Sequence, residues 1–180
     1  LSPEFLEQLT LKLNDEMKSQ VNTQALPMED LPFGQEELDL IWSEGAIYNI
    51  GFEKGIKNWH RFIKTGGTLA VSEITWLTAS RPIEIEEYWE SEYPEIAMAS
   101  EKIKILENSG YKLLGYFPLT SYCWRDNYYA PMEARFESFL TENGKSDDAV
   151  EIVKAEKREI ELYEKYHDHY SYGFYVAEKL

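Results

Sequence analysis

The sequence predicts an α/β fold built around a mostly parallel sheet. Three observations carry that prediction. Leu38-Asp39-Leu40-Ile41-Trp42 is a compact apolar run with one acid, bounded by Glu36-Glu37 and Ser43-Glu44-Gly45, as a buried parallel strand would be. Phe52, Ile56, Trp59 and Ile63 then recur at i, i+4, i+7 and i+11, which marks an amphipathic helix. Thr68 to Ile74 is β-branched and apolar, a second buried strand. Lys64 sits where the helix's negative end should be, and Gly66-Gly67 is read as its stop. Strand, helix, glycine turn and strand make one βαβ unit.

The remaining elements follow in order. Ser2-Pro3-Glu4 is a helix start: Ser can cap, Pro suits the first helical position and Glu suits the positive end. Phe5, Leu6, Leu9 and Leu13 continue at helical spacing, so this helix is expected to reach about Met17. Val21 to Leu26 alternates weakly and is expected as a short strand ended by Pro27. Pro82 opens a helix carrying Ile85, Tyr88 and Trp89, which Pro94 closes. A short helix with Ile103 and Leu106 ends at Gly110, and Tyr111 to Leu119 reads as a strand. A further helix holds Phe136, Phe139 and Leu140. A long charged helix runs from Asp147 to about His167, with Ile152, Val153, Ile160 and Tyr163 as its apolar stripe. Tyr170 to Ala177 alternates and should be the last strand.

Composition narrows the function classes. With 43% hydrophobic and 14% aromatic residues, the chain can bury a real core, and disorder is not expected. The net charge of −15 argues against binding nucleic acid and against docking on anionic membranes. A single cysteine, Cys123, allows no intrachain disulfide and no cysteine-based metal site. No apolar run reaches the length of a membrane span, and Leu1-Ser2-Pro3-Glu4 does not read as a signal peptide, so a cytoplasmic location is expected. There are no repeats and no low-complexity linker, which makes 1–180 a single domain.

In an open parallel sheet, ligands bind beyond the carboxyl ends of the strands. Those ends are marked here by Pro27-Met28-Glu29, Ser43-Glu44-Gly45-Ala46 and Glu73-Ile74-Thr75-Trp76. Each alone could be an ordinary loop. In this order and spacing they read as one rim.

The run Met28-Glu29-Asp30-Leu31-Pro32-Phe33, then Leu38-Asp39-Leu40-Ile41, then Thr65-Gly66-Gly67-Thr68-Leu69 resembles the central part of class I, Rossmann-like, S-adenosylmethionine-dependent methyltransferases of the small-molecule type. Leu1-Ser2-Pro3-Glu4-Phe5-Leu6 resembles the helix after that family's second strand. The resemblance implies a three-layer sandwich with a helical insertion before the last strand, 78–98 and 120–168 being cap or insert segments. It implies S-adenosylmethionine as cofactor. Met28 and Glu29 would lie along the adenine, Ser43, Glu44 and Gly45 under the methionine half, and Tyr48 would face the sulfonium. An acid commonly stands where this chain has Pro27.

Two parts of the family pattern are not found. The ten glycines include no pair spaced two apart, so the glycine loop after the first strand is missing, as is the acid that grips the ribose. The expectation is therefore an N-terminally truncated domain lacking its first strands. A preceding segment of the gene product, or a second copy in a homodimer, would complete the sheet.

Methyl transfer needs alignment and exclusion of water more than acid–base apparatus. Glu73, Trp76, Arg81, Trp124, Tyr128 and Tyr129 are the expected substrate-pocket residues, with Trp124 to Tyr129 as a lid-like loop. No catalytic residue and no metal ligand is singled out. His167-Asp168-His169 reads as a solvated helix end, and the acids and aromatics of 84–93 read as a solvated helix face. The leading expectation is methyl transfer to a small molecule by in-line displacement. The alternative is a non-catalytic α/β binding or interaction module with an aromatic cleft.

Overall fold

The computed structural model describes residues 3–180, so the Ser2 cap lies outside the described residues. Helix α1 (Pro3–Lys12) stops earlier than its apolar spacing predicts. Asn14 is the reason: its Oδ1 accepts a hydrogen bond from the Met17 N–H at 2.8 Å and starts a separate turn, α2 (Asp15–Lys18). Neither helix buries a residue. Residues 21–26 form no strand. Only Thr23 and Leu26 there are even half-buried, so the weak alternation has no core to face.

Strand β1 (Leu38–Ser43) and helix α3 (Phe52–His60) form where their patterns predict, joined through a short 3₁₀ turn at Ile47–Asn49. However, β1 lies at the sheet edge with Leu40 and Trp42 exposed, not buried as its apolar run predicts. Phe52, Ile56 and Trp59 of α3 are buried, which is what their spacing demanded. The helix ends at His60, however, and β2 (Ile63–Trp76) already starts three residues later. Lys64 and Gly66-Gly67 therefore belong to the strand, not to a helix stop. Leu38 pairs with Ile63 but Leu40 with Thr68, so β2 bulges between those two contacts. Gly66 adopts φ +81°, and a Cβ on Gly67 would lie 2.7 Å from Ile63 Cγ2 and 2.9 Å from the Lys64 carbonyl oxygen. The glycines are needed for a turn, as expected, but for a turn inside a strand. Lys64 instead reaches Asp39 across the bulge at 2.7 Å.

The second half comprises α4 (Ile83–Glu92), β3 (Ala97–Met98), α5 (Ala99–Asn108), β4 (Tyr111–Pro118), α6 (Ser121–Trp124), α7 (Ala130–Glu133), α8 (Phe136–Glu142), α9 (Asp147–Tyr166) and β5 (Tyr170–Lys179). Residues 125–129, expected as a loop, are a π-helical turn between α6 and α7.

The sheet order is β1-β2-β5-β4, with β3 pairing the end of β2. β1 and β3 run parallel to β2, while β5 is antiparallel to both β2 and β4. Four strands thus share one direction and β5 alone is reversed.

Alternation along β2 and β5 sends side chains to two cores. Leu69, Val71, Tyr175 and Ala177 pack on one face against Phe52, Ile56, Trp59 and Leu106. Ile74, Trp76 and Tyr170 pack on the other against Ile85, Trp124, Leu162 and Tyr163. Each buried aromatic or aliphatic side chain contributes about 1.5–3 kcal/mol on burial. Two helices of the second core are tied by charge. Glu84 of α4 accepts from Lys165 at 2.6 Å, from Tyr166 at 2.5 Å and from Arg158, all on α9. Below that cap an aromatic stripe crosses the sheet, Trp42 and Phe117 each lying 5.3 Å from Phe174. Among the described residues no helix is long and apolar enough to cross a membrane.

Candidate functional site

A cavity of about 580 Å³ opens where the cap meets the sheet. Its floor is Ser72 and Ile74 of β2 with Tyr172 of β5. Its rim is Glu44, Gly45 and Tyr48, just past the carboxyl end of β1. Gly45 turns there with φ +51°, and its N–H donates to Ser72 Oγ at 2.8 Å. That bond pins the rim to the floor.

The cap supplies the walls. Tyr88, Trp89 and Glu92 come from α4 and Tyr93 from just after it. Leu119, Cys123, Trp124 and Tyr128 come from the segment after β4, and Glu159 from α9. Trp124 is held on several sides. Its ring stacks on Tyr163 at 4.8 Å and Tyr172 at 5.2 Å, and its Nε1–H donates to Ser171 Oγ at 2.9 Å. The π turn that follows is clamped by Arg125, which donates to both Glu164 oxygens at 2.8 and 2.7 Å. Such turns widen a helix locally and recur at functional sites.

A second cavity, about 450 Å³, wraps the exposed edge of β1 and includes Met28, Ser43, Glu44, Ala46 and Trp59. The Met28 carbonyl is fixed by Trp59 Nε1–H at 3.2 Å. Ser43 Oγ is buried with no hydrogen-bond partner. Glu44 is shared by the two cavities.

The expected residues distribute as follows. Glu44, Gly45, Tyr48, Trp124 and Tyr128 come together in the first cavity. Met28 and Ser43 join Glu44 in the second, while Glu29 lies outside both, 3.9 Å from Lys54. Tyr129 is buried behind the wall and donates to Glu159 Oε1 at 2.9 Å. Trp76 and Arg81 do not line either cavity: the Arg81 guanidinium lies 4.2 Å over the Trp76 ring and pairs with Glu86 at 2.7 Å. Glu73 stands between two lining residues, Ser72 and Ile74, so strand alternation points it through to the opposite face. There it meets Lys102 at 3.3 Å and accepts a short bond from the Tyr93 hydroxyl. Burial pushes the Glu73 carboxyl up and the Lys102 ammonium down, and their mutual attraction opposes both shifts.

Among the lining residues that the sequence reading did not assign to the site are Tyr88, Trp89, Glu92, Tyr93, Glu159 and Tyr172. The acid–aromatic alternation of 84–93 was the available signal, but it reads equally as a solvated face. The structure corrects that reading, since Glu84 binds α9 and the aromatics turn inward. Burial is the leading cause that raises the Glu159 carboxyl and the Tyr88, Tyr128 and Tyr172 phenols, which keeps those phenols neutral at physiological pH.

Known structures with this arrangement are informative. Similar over 96% of this chain and 60% of its own is the [4+2]-cyclase SpnF, at 17% identity and TM-score 0.72. A methyltransferase from Geobacter sulfurreducens, dependent on S-adenosylmethionine and solved with S-adenosyl-L-homocysteine, matches 82% of this chain and 60% of its own, at 16% identity and TM-score 0.67. Geranyl diphosphate C-methyltransferase from Streptomyces coelicolor A3(2) matches 98% of this chain and 60% of its own, at 17% identity and TM-score 0.63. Residues 1–71 match the family described as "Methyltransferase domain". The fold is the class I methyltransferase fold. This chain spans about three fifths of the length of those three structures. No curated protein matches it. The rim after β1 lies at the carboxyl end of the parallel strands, where open α/β sheets bind their ligands, while the edge cavity runs along β1 from Leu38 to Ser43.

Proposed function

We propose that the protein transfers a methyl group from S-adenosylmethionine to a small-molecule acceptor. The observation that carries this reading is the position of Glu44, at the end of β1, where it borders both the edge cavity and the aromatic cavity. A donor in one cavity and an acceptor in the other would meet at that residue.

The residues present fit part of a cofactor site. Ser43 Oγ is a buried hydroxyl without a partner, and the left-handed Gly45 lets backbone pass where a side chain would be strained. Met28, Glu29, Ser43, Glu44, Gly45 and Tyr48 are the residues proposed to hold the cofactor. When bound, S-adenosylmethionine supplies a methyl group already activated on a sulfonium. The chain's own residues then have little bond-making to do. Tyr48 and Glu44 position, the fixed Trp124 and the adjoining Tyr128 exclude water, and segments 78–98 and 120–168 act as the cap. Glu73 is reassigned to positioning, through Tyr93, whose ring lines the cavity.

A second reading replaces the non-catalytic module with a domain of this fold that holds its ligand in the aromatic cleft without transferring a methyl group. It is favoured by one observation, that the [4+2]-cyclase SpnF is similar over 96% of the chain. Calorimetric titration of the full-length protein with S-adenosylmethionine and S-adenosylhomocysteine separates the two. Saturable binding of both, weakened in Ser43→Ala and Glu44→Ala, is the expected result. Heat from neither overturns methyl transfer.

A further inference from the structure

We propose that the aromatic cavity receives an organic cation, so that the acceptor is an alkylamine and the product a more highly methylated ammonium. This rests on the methyl-transfer reading above and narrows it to one class of acceptor.

The wall chemistry carries the inference. Glu44, Glu92 and Glu159 line the cavity, and no Lys, Arg or His does. The cations nearby are already committed: Lys102 to Glu73, Arg125 to Glu164, and Arg158 and Lys165 to Glu84. A phosphate or carboxylate ligand would enter with no counter-charge. Glu159 is half-buried, and its one hydrogen-bonding partner there is the Tyr129 hydroxyl, a neutral group. A carboxylate so placed gains most from a cation.

The aromatic walls point the same way. Tyr88 and Trp89 meet edge to face at 5.3 Å, Tyr48 and Tyr93 at 6.2 Å, and Trp124 and Tyr128 at 6.4 Å. In each T-shaped pair the edge of one ring meets the face of the other, and all six residues line the cavity. A cation held against such faces in a partly dry site is stabilised far beyond a neutral group of the same shape. The net charge of −15 adds long-range attraction for cations.

The chemistry balances. The amine enters as its ammonium and, once held, gives up its extra proton, which passes to solvent. Its lone pair forms the new N–C bond as the donor's C–S bond breaks, and that electron pair stays on sulfur. The positive charge passes from sulfur to nitrogen within the same acidic, aromatic space.

The test uses choline, which has no free nitrogen lone pair and so reads binding alone, and 3,3-dimethylbutan-1-ol, its neutral isostere. Each is titrated into the protein, with upfield ring-current shifts of the methyl protons and quenching of tryptophan fluorescence as readouts. Choline should bind at least ~10-fold more tightly than the alcohol. Glu159→Gln, which keeps the shape, and Tyr128→Leu, at an exposed position, should each remove most of that preference. Equal binding of the two probes, or a preference unchanged in both variants, overturns the proposal. So does displacement of choline by S-adenosylmethionine, which would make this the sulfonium's own seat. Cofactor binding without choline binding sinks the amine inference alone. Choline binding without cofactor binding leaves the cation site standing and removes methyl transfer.

Discussion

The Glu73 carboxylate and the Lys102 ammonium lie 3.3 Å apart with both side chains shut off from solvent. Lys102 Nζ also donates to the Glu95 carbonyl at 2.7 Å and sits 4.6 Å over the Phe52 ring. Removing one partner of a buried pair strands the other's charge. Lys102→Met should therefore destabilise the protein by about 3–5 kcal/mol, while Glu73→Gln with Lys102→Met should cost clearly less than the two single changes added together. Urea denaturation of the four proteins in the cycle measures this. Additive costs would mean that the two groups do not interact.

The bulge in β2 makes a distinction between two adjacent glycines. Gly67→Ala drives a Cβ against Ile63 and two backbone oxygens, those of Lys64 at 2.9 Å and Asp39 at 3.0 Å. The backbone cannot step aside cheaply, and about 1–3 kcal/mol should be lost. Gly66→Ala meets nothing within 4 Å and suffers only its left-handed conformation, about 1–2 kcal/mol. Thermal melts should rank Gly67→Ala at or below Gly66→Ala, and Gly66→Asn should recover part of the loss.

The clamp between α4 and α9 should be sensitive to acid. Hydrogen bonds from Lys165, Tyr166 and Arg158 hold the Glu84 carboxyl well below its ordinary value of 4.5, at about 2. Because the folded value is the lower one, the clamp's contribution is fully present above about pH 4.5 and is lost as the pH falls toward 2. The stability gap between the wild type and Glu84→Gln should shrink steadily over that interval. A gap that stays constant would show that the carboxylate's charge plays no part.

Two aromatic residues of the cap should behave differently on truncation. Tyr128 is half-exposed at 49%, whereas Trp124 is 5% exposed and carries a hydrogen bond to Ser171. Tyr128→Ala should lower methyl-transfer turnover more than it weakens cofactor binding, with the melting temperature nearly unchanged. Trp124→Ala should cost about 3–5 kcal/mol of stability, so any loss of activity there mixes fold with function. Turnover, cofactor titration and melting curves on both variants separate these effects.

Much of the fold was legible because burial imposes a period. Phe52, Ile56 and Trp59 had to share a helix face, and Leu38 to Trp42 read as a strand, although its apolar run did not reveal that Leu40 and Trp42 stay exposed at the sheet edge. Residues 21–26 misled because alternation without burial carries no information. Gly66-Gly67 announced a turn without saying which element it interrupts, since a bulge and a helix stop both need the same backbone freedom. The site was legible where it lies at strand ends, as with Glu44, Gly45 and Tyr48. It was not legible at Glu73, because one step along a strand reverses the direction of the side chain. The contribution of Glu159 depends on a partner thirty positions away, Tyr129, and no local pattern reports such a meeting.

The reversed strand β5 bears on how the chain reaches this fold. It fills the space between β2 and β4, and its Tyr175 hydroxyl meets Thr75 Oγ1 at 2.9 Å across a separation of 100 positions. Until those distant residues arrive, β2 must carry an unpaired edge, and closing so long a loop precedes any gain from it. Folding should accordingly be slow, on the millisecond-to-second scale typical of sheets with distant partners. The vulnerable period for self-association falls before the middle of the sheet is sealed, not at its rim.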